Sequence, residues 1–266
     1  MHDRSPEILH NARAWDKLAR QQVPLAQPAK DADLVEPLSQ VDPLGWLGGS
    51  VRGLRLLCLA AGGGRHGAIY AAAGAQVTVA DISGEMLALD RAVAAERGLA
   101  LQTVETSMDN LAMFPAGTFD VVIHPVSTCY VADVGKVFSE VARVTRPGGL
   151  YVSQHKSPVS LQAEVRASDG TVRLREPYYR SGPLPAEAPC RLREAGTLEF
   201  LHRWEQLLGG ICRAGFVIED LVEPRHAEAD AEFGSFGHRA QFVAPYVRIK
   251  ARRRSSESNF SFLCAQ

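Results

Sequence analysis

Cysteine is scarce in this chain, and its spacing fits neither a zinc site nor a disulfide framework. There is no CxxC pair and no cysteine and histidine spacing typical of zinc ligands. The five cysteines are also odd in number, and they lie at positions 58, 129, 190, 212 and 264. We therefore expect free thiols and no bound metal.

The chain also lacks an excess of charge and a long apolar run. Its 29 basic and 30 acidic residues give a formal net charge of −1, which provides no general attraction for nucleic acid or an anionic membrane. No apolar run approaches the ~20 residues of a membrane span, and the first residues are polar, unlike the apolar core of a signal peptide. We expect a cytoplasmic protein without membrane or nucleic-acid partners.

What is present is an alternation of strand-like and helix-like segments, which predicts a layered α/β fold with a mainly parallel sheet. Helical periodicity marks residues 7–20, 68–73, 83–97, 134–144 and 198–212. Apolar runs of strand length lie at 54–60, 76–81, 100–105, 119–124, 149–155, 217–222 and 246–251. With 266 residues, the length suits one large domain or one domain with an inserted cap.

A glycine cluster follows the first predicted strand, and an acid ends the second. Gly62, Gly64 and Gly67 satisfy the pattern GxGxxG, and Asp81 follows at roughly the 20-residue distance of a dinucleotide fingerprint. In a βαβ unit such glycines allow a tight turn near a ligand, and the acid can accept hydrogen bonds from ribose hydroxyls. Sites for S-adenosylmethionine (SAM) use the same two features, so this motif alone leaves a nicotinamide cofactor and SAM both open.

Further segments distinguish these two possibilities. They are Ala60-Ala61-Gly62-Gly63-Gly64-Arg65-His66, Asp81-Ile82-Ser83 followed by Met86-Leu87, Thr118-Phe119-Asp120-Val121-Val122, the run from Val141 through Arg146-Pro147-Gly148-Gly149, and Arg213-Ala214-Gly215-Phe216. Together they resemble the class I SAM-dependent methyltransferases of methyltransferase type 11, over roughly residues 50–252. The Arg-Pro-Gly-Gly junction and the Ala-Gly-Phe ending are the discriminating parts, since a nicotinamide-binding domain has no reason to carry either.

The resemblance implies a Rossmann-like three-layer sandwich with a seven-stranded, mostly parallel sheet whose last strand is antiparallel. SAM would lie across the carboxyl ends of the first strands. The divisions we expect are an N-terminal helical, Pro-rich lid (1–50), a SAM-binding core (51–156), an inserted lid after the fifth strand (157–197), the C-terminal part of the same core (198–254) and a disordered tail (255–266).

The resemblance also implies cofactor contacts. Gly62, Gly63 and Gly64 should approach the methionine part of SAM, Asp81 should hold the ribose, and Ile82 should pack on adenine. Either Ser107 or Asp109 should meet the adenine amino group, where the family often has an acid. The remaining candidate cofactor contacts are Ala61, Arg65, His66, Met86, Met108 and His124.

Candidate catalytic and substrate residues follow the fourth and fifth strands. His124 and His155 each end a strand at the ligand-facing edge, where a histidine could act as a general base or make only a structural hydrogen bond. The Asn/Asp-Pro-Pro-aromatic motif of amino-group methyltransferases is absent after His124, which favours oxygen, or a deprotonated nitrogen, carbon or sulfur, as the nucleophile. Candidate acceptor contacts are Trp15, Ser127, Tyr130, Tyr178, Tyr179, Arg180 and His202.

The leading expectation is thus a SAM-dependent methyltransferase acting on a small molecule, most readily at oxygen or nitrogen. Two alternatives stay open at this point. One is a nicotinamide-dependent oxidoreductase, and the other is a SAM-fold protein that acts on a macromolecule or binds SAM without methyl transfer.

Overall fold

A computed structural model describes residues 5–165, 171–188 and 190–255. Within these ranges one seven-stranded sheet has the order β3-β2-β1-β4-β5-β7-β6. Its strands are β1 (Arg55–Leu59), β2 (Gln76–Asp81), β3 (Leu101–Glu105), β4 (Phe119–His124), β5 (Thr145–Lys156), β6 (Phe216–Val222) and β7 (Tyr246–Arg253). The pairs among β1 to β5 are parallel, whereas β7 is antiparallel to both β5 and β6. The predicted Rossmann-like sheet with an antiparallel last strand is confirmed.

Nine α-helices are described alongside the sheet. They are α1 (Pro6–Arg20), α2 (Asp31–Val35), α3 (Pro37–Val41), α4 (His66–Ala72), α5 (Gly84–Arg97), α6 (Val134–Val144), α7 (Pro158–Gln162), α8 (Gly210–Arg213) and α9 (Phe236–Arg239). A π-helical turn, Glu205–Gly209, precedes α8, and 3-10 turns lie at Pro24–Ala26 and Thr128–Tyr130. No helix in the described ranges is long and apolar enough to cross a membrane.

The core lies on both faces of the sheet because successive strand residues point in opposite directions. In β1, Leu57 and Leu59 pack with the buried face of α6 and α8, while Leu56 and Cys58 pack with α4 and α5 on the other side. These strands are buried on both faces, which is why they are nearly continuous apolar runs in the sequence.

The chain runs outward from β1 through β2 to β3 and then returns to place β4 on the other side of β1. This reversal leaves a crevice at the carboxyl ends of β1 and β4, the usual ligand position in open α/β sheets. The segments that follow β1, β2 and β4 therefore meet at one edge.

The predicted helix over 198–212 is wrong in its first half, because residues 198–203 are not helical. Their backbone is held by distant partners instead: the Leu198 amide donates to Asn11 Oδ1 at 2.7 Å, and the Phe200 amide donates to the Cys129 carbonyl at 2.7 Å. Long-range hydrogen bonds thus override a local apolar spacing. The predicted disordered tail, 255–266, lies outside the described residues apart from Ser255.

Candidate active site at the carboxyl edge of the sheet

The loop after β1 requires its glycines. Gly63 and Gly64 have φ of +117° and +80°, in the region that L side chains rarely adopt. A Cβ on Gly62 would lie 2.9 Å from Met86 Cβ and 3.1 Å from Asp81 Cγ. A side chain at any of the three positions would disturb this loop.

Asp81 at the end of β2 holds the loop from beside it. Its Oδ2 accepts the Gly62 amide at 2.9 Å, and its Oδ1 accepts the Ser83 amide at 2.9 Å. The side chain is buried, and burial raises the pKa of Asp81 against the opposing effect of these amides. Ser83, not Asp81, caps α5, since the Ser83 Oγ accepts the Met86 amide. Each carboxylate oxygen keeps a second lone pair with which it can accept from a vicinal diol.

The N-terminal segment covers this edge. The Ala29 amide donates to the Gly64 carbonyl at 3.0 Å, and Asp16 on α1 accepts the Ser83 hydroxyl at 2.6 Å. Arg65, which follows the glycines, is paired with Asp33 of α2 at 2.7 Å. The glycine loop is therefore enclosed between the sheet and residues 16–33.

Other candidate cofactor residues lie at the same edge in different roles. Met86 packs against Ala19 and Ala26 beneath the N-terminal segment, and Met108 belongs to the main core. His66 begins α4, and burial lowers its pKa to about 4. Ile82 lines a cavity of about 450 Å³ between α1 and α5.

Ser107 and Asp109 line one cavity of about 1380 Å³ next to α1 and the start of α6. Ser107 is buried and Asp109 is partly exposed. The two side chains are thus brought together, and both stay candidates for the adenine contact.

His124 at the end of β4 has one ring nitrogen held and the other without a partner. Its Nδ1 lies 2.8 Å from the Tyr151 hydroxyl, whereas its Nε2 is buried and has no hydrogen-bond partner among the described residues. Only 1% of the residue is exposed, and burial lowers its pKa to about 3. The ring is therefore neutral at pH 7.

His155 on β5 differs in that both of its nitrogens are engaged. Nδ1 lies 2.8 Å from Thr128 Oγ1, and Nε2 lies 2.8 Å from Ser153 Oγ. Burial, followed by the neighbouring His124 and His202, lowers its pKa to about 3. This ring is held on both sides by hydroxyl groups.

The turn after β4 carries the candidate Ser127 and is hydrogen-bonded to the candidate His202. Ser127 Oγ donates to the Pro125 carbonyl at 3.0 Å, and His202 Nε2 donates to the carbonyls of Thr128 and Val131 at 3.1 and 2.9 Å. Two acceptors on one nitrogen fix that nitrogen as the protonated one. His202 thus fastens the turn to the segment that precedes the π-helical turn.

Tyr130 joins the N-terminal helix to the inserted segment. Its ring makes an edge contact with Trp15, the centroids 5.4 Å apart, and its hydroxyl donates to Glu194 Oε2 at 2.5 Å. The two aromatic side chains therefore form one wall between α1 and the turn after β4.

A buried charged cluster lies behind Tyr130, and no sequence pattern predicted it. Lys156 at the end of β5 donates to Glu199 at 2.9 Å, Glu194 at 3.0 Å and the Leu192 carbonyl at 2.6 Å. Desolvation opposes its charge, but the surrounding negative groups hold the pKa of Lys156 above its ordinary value. Its acidic partners lie about 40 residues away along the chain, so no local pattern connects them.

Tyr178, Tyr179 and Arg180 form an exposed turn of the inserted segment. The tyrosine rings contact each other edge to face, and Arg203 lies over the Tyr179 ring at 5.2 Å. Arg180 is paired with Glu176 at 2.7 Å, and Tyr179 is 79% exposed. Across the described ranges, no three acid, histidine or cysteine side chains are grouped to hold a metal.

Comparison with known proteins identifies the family. A profile for a methyltransferase domain matches residues 57–153. The uncharacterized methyltransferase YbaJ of Bacillus subtilis (strain 168) is 35% identical over 233 residues, covering 82% of this chain and 91% of that protein. The chain belongs to the SAM-dependent methyltransferases. The predicted resemblance is confirmed, and the nicotinamide alternative is set aside.

More distant relatives of the methyltransferase have diverse activities. The ubiquinone biosynthesis O-methyltransferase of Bordetella pertussis (strain Tohama I) is 30% identical over 171 residues, covering 60% of this chain and 71% of that protein. The geranyl diphosphate C-methyltransferase of Streptomyces coelicolor A3(2) has a TM-score of 0.60 at 17% identity, over 94% of this chain and 98% of that one. The [4+2]-cyclase SpnF has a TM-score of 0.61 at 19% identity, over the same shares. The two structural likenesses concern the fold alone.

The cofactor of the methyltransferase is SAM, and the site has features suited to it. The glycine loop offers backbone without side chains, and a Cβ at Gly62 would collide with Asp81 and Met86. Asp81 keeps lone pairs for ribose hydroxyls, and the unpartnered Nε2 of His124 lies at the end of the strand next to β1. These residues fit a nucleoside bound across the carboxyl ends of β1, β2 and β4.

Proposed function

We propose that this methyltransferase moves the methyl group of SAM to an oxygen or nitrogen of a small-molecule acceptor, with His124 as the general base. The observation that carries the proposal is the buried Nε2 of His124, which has no protein partner in the described ranges while Nδ1 is held by Tyr151. Such an atom at the ligand-facing edge is a natural place for an acceptor's proton.

When bound, SAM supplies a methyl group on a positively charged sulfur. His124 Nε2 would take the proton that the acceptor releases as it accepts this methyl group. The protein's own contribution is alignment of the two reactants and removal of this proton.

The protonation state of His124 suits this role. Burial lowers its pKa to about 3, so the neutral ring predominates at pH 7. We propose the tautomer in which Nδ1–H donates to the Tyr151 oxygen, 2.8 Å away, since Nε2 then carries the free lone pair. A base this weak works best on an acidic proton, which favours a phenol or enol over an aliphatic alcohol.

Enclosure of the edge supports a small acceptor. The segment from α1 to α2 covers the glycine loop, and Trp15 with Tyr130 closes the space beside the turn after β4. The Bordetella relative is an O-methyltransferase of ubiquinone biosynthesis, which agrees with an oxygen of a small molecule as the acceptor atom. A macromolecular acceptor would need an open groove at the same edge.

For the cofactor we propose contacts from Ala61 and Gly62–Gly64, a ribose contact from Asp81 and an adenine contact from Ile82. Ser107 or Asp109 meets the adenine amino group, with Arg65, His66, Met86 and Met108 completing the surroundings. For the acceptor we propose Trp15, Ser127 and Tyr130 as the wall, with His155 and His202 behind it. Tyr178, Tyr179 and Arg180 contribute from the inserted segment.

The proposal is tested with SAM carrying a tritiated methyl group and a panel of phenols, enols, amines and thiols. Total RNA and mixed protein serve as macromolecular acceptors in parallel. We expect transfer to a phenol or enol, lost in His124→Ala but kept in Asp120→Asn, a change at the opposite end of β4, where Asp120 pairs with Arg55 and Arg146. Label appearing only in RNA or protein would refute the small-molecule assignment. An unchanged rate and pH profile in His124→Ala would refute the base.

A further inference from the structure

A second carboxyl group besides Asp81 is hydrogen-bonded to the glycine loop. Asp90 belongs to α5, and its side chain has no exposed surface. Its Oδ2 accepts the Gly63 amide at 3.0 Å, and the Gly64 amide also favours its charged form. Successive amides of the cofactor loop are thus directed at a side chain of the protein.

The other oxygen of Asp90 has no hydrogen-bond partner in the described part of the chain. The space it occupies depends on Gly67, since a Cβ there would lie 3.1 Å from Asp90 Oδ1 and 2.6 Å from Val79 Cγ2. The last glycine of the GxGxxG pattern therefore makes room for this acid and for helix packing. A half-satisfied buried carboxyl is costly, and buried acids of this kind concentrate at functional sites.

The groups around Asp90 leave its charge finely balanced. Burial raises the pKa of Asp90 to about 7, the Gly63 and Gly64 amides oppose this, and the Asp81 charge adds to it. Arg91, its neighbour on α5, favours the charged form. Cys58 on β1 is buried, and burial raises the pKa of its thiol well above the ordinary value, so that it stays neutral. The adjoining part of α4 contributes the uncharged Gly67.

We propose that Asp90 is a positioning residue of the cofactor site, whose carboxylate holds the Gly63 peptide in the shape that receives SAM and whose protonation releases it. This inference rests on the proposed placement of the cofactor at the glycine loop. A carboxylate accepts an amide hydrogen bond more strongly than a neutral carboxyl group does. The added proton of the neutral form would also lie on an oxygen without an acceptor.

The sign of the pH effect follows from this. Cofactor binding favours the ionised carboxylate, so affinity rises as the pH rises through neutrality. If only the ionised form binds, the apparent affinity falls in proportion to its population, which amounts to about tenfold between pH 8 and pH 6. A simple charge effect on the sulfonium would act on SAM alone, whereas loop positioning acts equally on S-adenosylhomocysteine (SAH).

The experiment is calorimetric titration of the whole protein with SAH and SAM from pH 5.5 to 8.5. We compare the native chain with Asp90→Asn, and use Asp120→Asn as the matched control because Asp120 pairs with Arg55 and Arg146 at the far end of the sheet. Ionisation of the ligands affects all three proteins equally, so it cancels in the ratio of two proteins' affinities at the same pH. We expect the native chain and Asp120→Asn to gain severalfold in affinity for both ligands from pH 6 to 8 relative to Asp90→Asn. Equal pH dependence in all three would overturn the proposal.

A second measurement needs neither ligand nor variant. In the native protein the amide resonance of Gly63, followed by NMR, should shift with a midpoint near the pKa of Asp90 at about 7. A Gly63 amide that does not titrate would overturn the proposal. If the amide titrates but SAH and SAM do not bind at any pH, the positioning contact stands and the cofactor placement is what fails.

Discussion

Replacing Asp90 by Asn should change how the stability of the apo-protein depends on pH. The folded pKa of about 7 exceeds the value of about 3.9 for an unfolded aspartate. The folded state therefore holds a proton that the unfolded state releases between these two values. The contribution to stability is fully present below pH 4 and is lost as the pH rises to 7.

The size of the effect follows from the difference of roughly three pKa units, which is worth about 4 kcal/mol at most. Between pH 5 and pH 8 the native chain should lose about 2.5 kcal/mol more than Asp90→Asn, or about 5–10 °C in melting temperature for a chain of this size. The other titratable groups are present in both proteins, so their contributions to the pH dependence cancel in this difference. Thermal and urea unfolding at both pH values measure it. Parallel pH profiles for the two proteins would refute the reasoning, since Asp90 would then be ionised in the native state.

Three further predictions concern the edge of the sheet. Asp81→Ala should weaken SAH binding by about 1.5–3 kcal/mol, because hydrogen bonds to the ribose and to the glycine loop are lost. Calorimetry measures this affinity, and an unchanged value would make the role of Asp81 purely structural. Lys156→Met should lower the free energy of unfolding by about 3 kcal/mol, because it removes the buried charge shared by Glu194 and Glu199 and leaves Glu199 with Arg193 as its ion-pair partner. A loss under about 1 kcal/mol in urea unfolding would contradict the cluster. Tyr151→Phe should leave SAH binding intact but lower the rate of methyl transfer by about tenfold or more, because the hydrogen bond that orients His124 is lost. An unchanged pH–rate profile would remove Tyr151 from the mechanism.

The sheet could be predicted from the sequence because its signals are local. A central strand such as β1 is buried on both faces from Leu56 to Leu59, and it is apolar at each of these positions. The antiparallel β7 and the choice of SAM as the ligand of the glycine loop came from the family resemblance, which rests on motifs spread along the core. Local apolar patterns and family motifs can both be recognised without knowing which distant residues are in contact.

The features that the sequence did not predict depend on distant contacts. Residues 198–203 have apolar spacing typical of a helix, yet hydrogen bonds to Asn11 Oδ1 and to the Cys129 carbonyl hold their backbone in a non-helical path. The Lys156 cluster joins residues about 40 positions apart. Asp90 lies on a predicted amphipathic helix, where an acid is ordinarily solvent-exposed, and only the packing against Gly67 shows it to be buried.

The most direct test of the account is calorimetric titration of the purified protein with SAH, with NADH and NADPH titrated in parallel. The account predicts saturable binding of SAH at one site per chain and no binding of either nicotinamide cofactor. Binding of a nicotinamide cofactor without binding of SAH would contradict it.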